Sequence, residues 1–351
     1  LTYFMSMWVW LGGAYFVTVW LKKVHGYLSV RLICHFLIIV CVAQCLIALS
    51  MELYSPLKQL VDSFLGGEDA FMGNAGDRMY GIGAALDVAG FRFAAVLVAI
   101  SVLCTRAKAF KTQISYVLAF FVILIIGSMI GRSTFLGAGV ALVYLIGYSL
   151  LKTDEESKYT MGMFWKAFLA VFLVGLPYVV YQYNVNPSFH ENLRFGFEGF
   201  FSLFEKGYWS TNSTDILVNH MIKFPETFKT WIIGDGYCAN PYNDPYYTGP
   251  SYHGFYMGTD IGFLRFLFYF GIMGTLALVM YMYKVSLACA RRLSSYKILF
   301  ALLFILNMVE WMKVSTDIFL VFALFLCISS EEQEEAEAME QEGLMETSEE
   351  A

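Results

Sequence analysis

The sequence predicts an all-α polytopic membrane protein, a bundle of about nine transmembrane helices with two long outer loops. Three observations carry that expectation. Of 351 residues, 58% are hydrophobic and only 15% charged, too apolar for an ordinary soluble domain. Mean hydropathy is +0.59. The apolar residues also fall in blocks near the ~20-residue length that crosses a bilayer as a helix.

The blocks lie at 2–21, 29–50, 84–104, 114–130, 133–151, 163–182, 259–283, 296–312 and 314–330. Four short connectors between them are basic: Lys22, Lys23 and Arg31; Arg106, Lys108 and Lys111; Lys152, Lys158 and Lys166; Lys284, Arg291, Arg292 and Lys297. Clustered Lys and Arg in short loops mark the cytoplasmic side. The long loops, 51–83 and 183–258, then face outward. Leu1 would also start outside, as in an N-out protein or an internal fragment lacking upstream helices. No basic segment ahead of the first block suggests a signal peptide.

The net charge of -6 divides unevenly. Residues 331–351 carry ten Glu and no Lys or Arg, leaving 19 acidic and 23 basic residues in the body, 1–330. The tail reads as a disordered cytoplasmic extension. Nothing in this pattern suggests a nucleic-acid partner. The seven cysteines show no ligand or redox spacing, and no structural disulfide is expected.

Between 51 and 83, the run SPLKQLVDSFL has the periodicity of an interfacial helix. The second loop holds an amphipathic run, STDILVNHMIKFPETFKTWI, broken at Pro225. Neither loop alternates like a β-domain.

Charge at the mouth of a span is costly and marks candidate functional residues. Arg78 precedes the third span, and Asp87 and Arg92 fall in its first turns. Arg132 occupies the tight turn between spans four and five. Asp260 opens span seven, with Arg265 five residues deeper. Under the topology above these gather at the outer face, where guanidinium suits an anionic, phosphate-like group. Arg92 and Arg265 could instead snorkel as anchors. At about 100° per residue, neither Asp87 and Arg92 nor Asp260 and Arg265 would form a same-face pair. Glu310, Lys313 and Asp317 flank a short outer turn and read as structural. His220 and His253 read first as loop histidines.

Tyr237, Tyr242, Tyr246, Tyr247, Tyr252 and Tyr256 crowd a loop where no core obliges them. They suit sugar contact; an interfacial aromatic belt is the plainer alternative.

Taken in order, four stretches resemble the O-antigen polymerase and ligase superfamily, the Wzy-type membrane glycosyltransferases. They are RMYGIGAALDVAGFRFAAVL, GSMIGRSTFLGAGVALVYL, the long loop entered by NPSFHENLRFGF, and IGDGY followed by GTDIGFLRFLFYFGIMG. The resemblance implies a GT-C-like helical fold in the bacterial inner membrane with its active site toward the periplasm. It implies an undecaprenyl-diphosphate-linked glycan as donor and acceptor, a chain-length regulator as partner, and metal-independent transfer without a cofactor. The outer loops show no DxD-like motif. By position, Arg78 and Arg132 would hold the diphosphate; the charge pattern adds Arg92 and Arg265 as candidate substrate-binding residues. Asp260 falls in the polar pair that opens the late span. Ligases have a His-Asn-like pair there and this chain has Thr259-Asp260, so the base stays open between Asp260 and His253. Tyr237, Tyr242 and Tyr252 would contact sugar. The expected activity is polymerisation of lipid-linked repeat units into O-antigen, capsule or exopolysaccharide, with a ligase or a flippase as alternatives.

Overall fold

A computed structural model describes residues 2–64, 78–249 and 254–349. Among them there are helices and two isolated β-bridges, Gly81 with Ala84 and Ala239 with Phe255, but no strand. Among the described residues, seven helices are long and apolar enough to cross a membrane. The chain divides into two compact units, residues 1–197, 288–303 and 318–351, and residues 198–287 and 304–317.

The first unit opens with α1 (Thr2–His25), α2 (Val30–Leu53) and the short amphipathic α3 (Ser55–Phe64). It continues through α4 (Leu86–Cys104), α5 (Phe110–Ile130), α6 (Thr134–Leu151) and α7 (Glu155–Val185) to α8 (Pro187–Gly196). Helix α4 is its centre: from Ala89 to Cys104 every residue but Arg92 is buried. That matches a sequence apolar on every face. Helices α4 and α6 meet backbone to backbone, because a Cβ at Gly137 would strike the main chain of Ala94. Small residues permit such approach where neither lipid nor water drives helices together. Helix α7 is the reverse, a long helix mostly exposed along its apolar length, as a lipid-facing element should be.

Contacts within this unit join the basic connectors. Lys108 pairs with Glu156 at 3.0 Å. Arg106 donates to the carbonyl of Ser295 and stacks 4.1 Å from the Tyr296 ring. Arg292 donates to the carbonyl of Leu326 at 2.8 Å. Helix α5 separates this end from the Arg132 turn by about 31 Å, at 1.5 Å per residue.

The second unit contains α9 (Glu198–Lys206), α10 (Asn212–Ile216) running into a π-turn at Leu217–Met221, and α11 (Phe228–Ile233). As expected, the chain leaves helix around Pro225. Helix α12 (Gly262–Arg292) and helix α13 (Lys297–Trp311) follow, each beginning or ending in this unit.

Two expectations change. The block 314–330 holds only the eight-residue α14 (Phe319–Leu326), about 12 Å long and too short to cross a bilayer by itself. Its first residues form a turn closed by the Trp311 indole, which donates to the carbonyl of Thr316 at 2.7 Å. The acidic tail, expected to be disordered, is helical as α15 (Ser330–Glu349). The sequence Ser329–Glu332 makes a reciprocal capping box: Glu332 N–H donates to Ser329 Oγ (3.1 Å), and Ser329 N–H donates to Glu332 Oε2 (2.8 Å). Lys22 pairs with Glu332 at 2.6 Å, and the buried Gln333 accepts from the N–H of Val30 at 2.8 Å. Burial by itself would raise the Glu332 carboxyl, but Lys22 and the Ser329 donors hold it below the usual range.

Candidate functional sites

In the first unit, the Arg132 turn is shaped by lack of space. A Cβ on Gly131 would come within 2.5 Å of the Leu86 carbonyl, and one on Gly90 would strike Ser133. The turn is pinned by Thr134 Oγ1 donating to the Gly131 carbonyl (2.8 Å) and by Ser133 Oγ donating to Asp87 Oδ1 (2.8 Å). Asp87 therefore ties the start of α4 to the α5–α6 turn. Leu86, just before it, has φ +56°, a costly conformation for a branched side chain.

Helix α8 lies against this turn. It starts on an Asn186 cap that accepts from the N–H of Phe189 at 3.1 Å, with Pro187 at the first helical position. Gly196 lets it approach the backbone of Ser128 and Met129. Phe197 meets Phe135 edge-on at 4.9 Å. Phe195 is thereby set under two cations: Arg132 lies 4.5 Å from its ring centroid and Arg78 lies 5.0 Å. Two guanidiniums 54 residues apart lie at one aromatic ring. Arg92, half-buried on α4, acts electrostatically on Cys41 of α2 instead.

In the second unit, Asp260 and Arg265 form an ion pair, Oδ1 to Nη1 at 3.0 Å. The helical spacing argument against this pairing fails because α12 begins at Gly262. Asp260 lies outside the helix, ahead of its first residue, so the rotation per helical residue does not apply to it. Arg265 also stacks 4.5 Å from the Phe255 ring. Arg265 is thus engaged rather than simply anchored.

The aromatic loop has a core of its own. Tyr237, Tyr247 and Tyr256 have ring centroids 5.4–6.0 Å apart, and Tyr256 rests edge-on against Phe268 at 5.6 Å. Each hydroxyl is tethered: Tyr237 to Asp244 (2.9 Å), Tyr247 to Asn240 (3.1 Å) and Tyr256 to Asp235 (3.2 Å). Donation from the Tyr246 backbone N–H, then from Tyr237, holds Asp244 below the usual carboxylate range. The same hydrogen bond pushes the Tyr237 hydroxyl up, whereas burial and then Asp235 raise Tyr256. Asn240 is buried and also accepts from the N–H of Met257 at 3.0 Å, fixing that residue at φ +55° three positions before Asp260. Tyr242 and Tyr246 remain exposed. Tyr252 and His253 lie outside the described residues.

This loop is bound to a break in α12. Gly271 has φ +66° and ψ -173°, a region essentially open only to glycine. The break releases the carbonyls of Phe268 and Tyr269, which accept from the N–H groups of Asp235 (2.7 Å) and Gly236 (3.2 Å). Non-helical backbone at membrane depth requires such partners. Asp235 is held in turn by Thr230 Oγ1 at 3.0 Å. Phe195, Asp235 and the break at Gly271 are not singled out by the sequence. An isolated glycine inside an apolar block was the available clue to the break.

Among the described residues, no three His, Cys, Asp or Glu side chains converge as metal ligands. Compared with known proteins, the chain matches no family model, no curated protein and no solved structure.

Proposed function

We propose that this chain is a membrane glycosyltransferase that joins lipid-diphosphate-linked oligosaccharide repeat units into a polysaccharide. The observation that carries the reading is the pair of guanidiniums, Arg78 and Arg132, gathered on the Phe195 ring. Two planar donors held at one ring suit a diphosphate, whose oxygens accept bidentate, charge-assisted hydrogen bonds. The resemblance in the four ordered stretches points the same way.

In the reaction, a sugar hydroxyl of one repeat attacks the anomeric carbon of another. The hydroxyl proton passes to a base, the bond to the diphosphate oxygen breaks, and the lipid diphosphate leaves with the electron pair. The arginines stabilise the charge that develops on it, which is where preorganised electrostatics lowers a barrier most. Asp260 is the proposed base, with His253 as the alternative. The exposed Tyr242 and Tyr246 offer stacking faces for sugar. The setting we propose is a bacterial inner membrane, with these groups toward the periplasm and a chain-length regulator as partner.

A gel of surface glycans from a deletion strain tests the reading. Loss of a polymerase leaves single repeats at the surface. Long chains stranded on the carrier lipid would identify a ligase, and repeats trapped inside a flippase. Surface polymer of normal length would remove the proposal.

A further inference from the structure

The proposed glycan chemistry makes no use of Glu310. It lies in the last turn of α13, in the second unit, and is completely buried with neither carboxylate oxygen hydrogen-bonded. Around it, the bundle is tightly packed, and Asn307, one turn earlier on α13, is also fully buried. Trp311 is also fully buried and meets Phe263 and Phe266 of α12 edge-on at 5.8 and 5.0 Å. A Cβ on Gly262 would come within 2.5 Å of the Val314 carbonyl, so no space separates the start of α12 from the turn below Glu310. The Asp317 carboxylate, of the same sign, acts on Glu310 electrostatically. Tyr281 of α12 faces Asp317 electrostatically. Lys313 in the turn touches Glu310 through the backbone, its N–H donating to the Glu310 carbonyl at 2.8 Å.

An ionised carboxylate cannot persist in such a place without a donor or a cation. A neutral acid can, and a second carboxylate nearby favours keeping one proton on the pair. We propose that Glu310 is a proton-binding site: its carboxyl holds a proton at neutral pH and releases it reversibly as the pH rises. Release places a second negative charge beside Asp317, beneath the packing of Trp311 on α12. Loss of the proton therefore loosens that packing. The inference is independent of the glycan reading and holds equally for a polymerase or a transporter.

Infrared spectroscopy of the purified chain in lipid nanodiscs tests it directly. At neutral pH, the wild type should show the carbonyl stretch of a protonated carboxylic acid that is missing from Glu310→Gln, and raising the pH should abolish the difference reversibly. Glu310→Gln copies the neutral acid in size and should fold. Its melting temperature should lack the decline that the wild type shows over the same pH interval. Identical wild-type and variant spectra at neutral pH would overturn the proposal. So would a band that persists to the highest pH at which the protein stays folded, which would make Glu310 a fixed neutral acid. Loss of the band on adding sodium at constant pH would assign the site to a metal cation and overturn it as well.

Discussion

Arg132 is the residue on which the functional reading turns, and its setting separates two roles. An anchor needs only positive charge, so Arg132→Lys would be tolerated. A group that grips diphosphate needs the planar fork and its stacking on Phe195. We expect Arg132→Ala to abolish polymer while the protein still inserts, and Arg132→Lys to recover at most a small fraction of chain length on a glycan gel. Full recovery by lysine would return Arg132 to the role of anchor. The arginines were legible in the sequence because charge within apolar blocks is rare and costly. Phe195 was not legible, since 18% of the chain is aromatic and only the approach of α8 distinguishes this ring. The Asp260–Arg265 pair was misread for a related reason. The spacing rule presupposed a helix that begins two residues later than the carboxylate.

Among the elements, the broken α12 carries the strongest stability prediction. Gly271→Ala would place a side chain in a glycine-only conformation and against the Ile232 carbonyl. We expect a loss of at least about 1–3 kcal/mol from the backbone conformation, read as a lower melting temperature in detergent. Gly139→Ala, on α6 with nothing within 4 Å of its added Cβ, should leave melting nearly unchanged. Equal effects would mean that the break is not a fixed feature. The docked α15 gives a pH prediction. The Glu332 carboxyl is held below its ordinary value, so the unfolded chain binds the proton more readily. Its contribution is therefore complete above the unfolded pKa, about 4.3, and fades as the pH falls through the folded value. Protection from hydrogen exchange over 330–337, relative to the intrinsic rate at each pH, should fall on acidification below about pH 4, and Glu332→Gln should remove that dependence.

For the whole molecule, orientation is the property most open to test. The first unit gathers its basic connectors at one end, away from the Arg132 turn, as a consistent two-sided arrangement requires. The positive-inside rule then assigns the sides. Cys238 in the long loop is the one exposed cysteine; five are buried and Cys327 is intermediate. An impermeant thiol reagent added to intact spheroplasts should therefore modify Cys238. Reaction only after lysis would invert the topology and remove the periplasmic site from the proposal.

Composition and the lengths of the apolar blocks determined that this is a helical chain with several helices able to cross a membrane. They also located its cationic positions, because crossing hydrocarbon constrains length and charge locally. What required tertiary structure was everything fixed by contacts between distant residues. Packing of α8 brought Arg78 and Arg132 onto one ring. Hydrogen bonds from Asp235 and Gly236 made a break at Gly271 tolerable, and a capping box with Lys22 and Val30 ordered an acidic tail whose composition alone suggested disorder. Burial, finally, converted Glu310 from a turn residue into an enclosed acid. The physical reason is common to all of these: the cost of an exposed carbonyl, a bare carboxylate or a strained glycine depends on its neighbours, and those come from elsewhere in the chain.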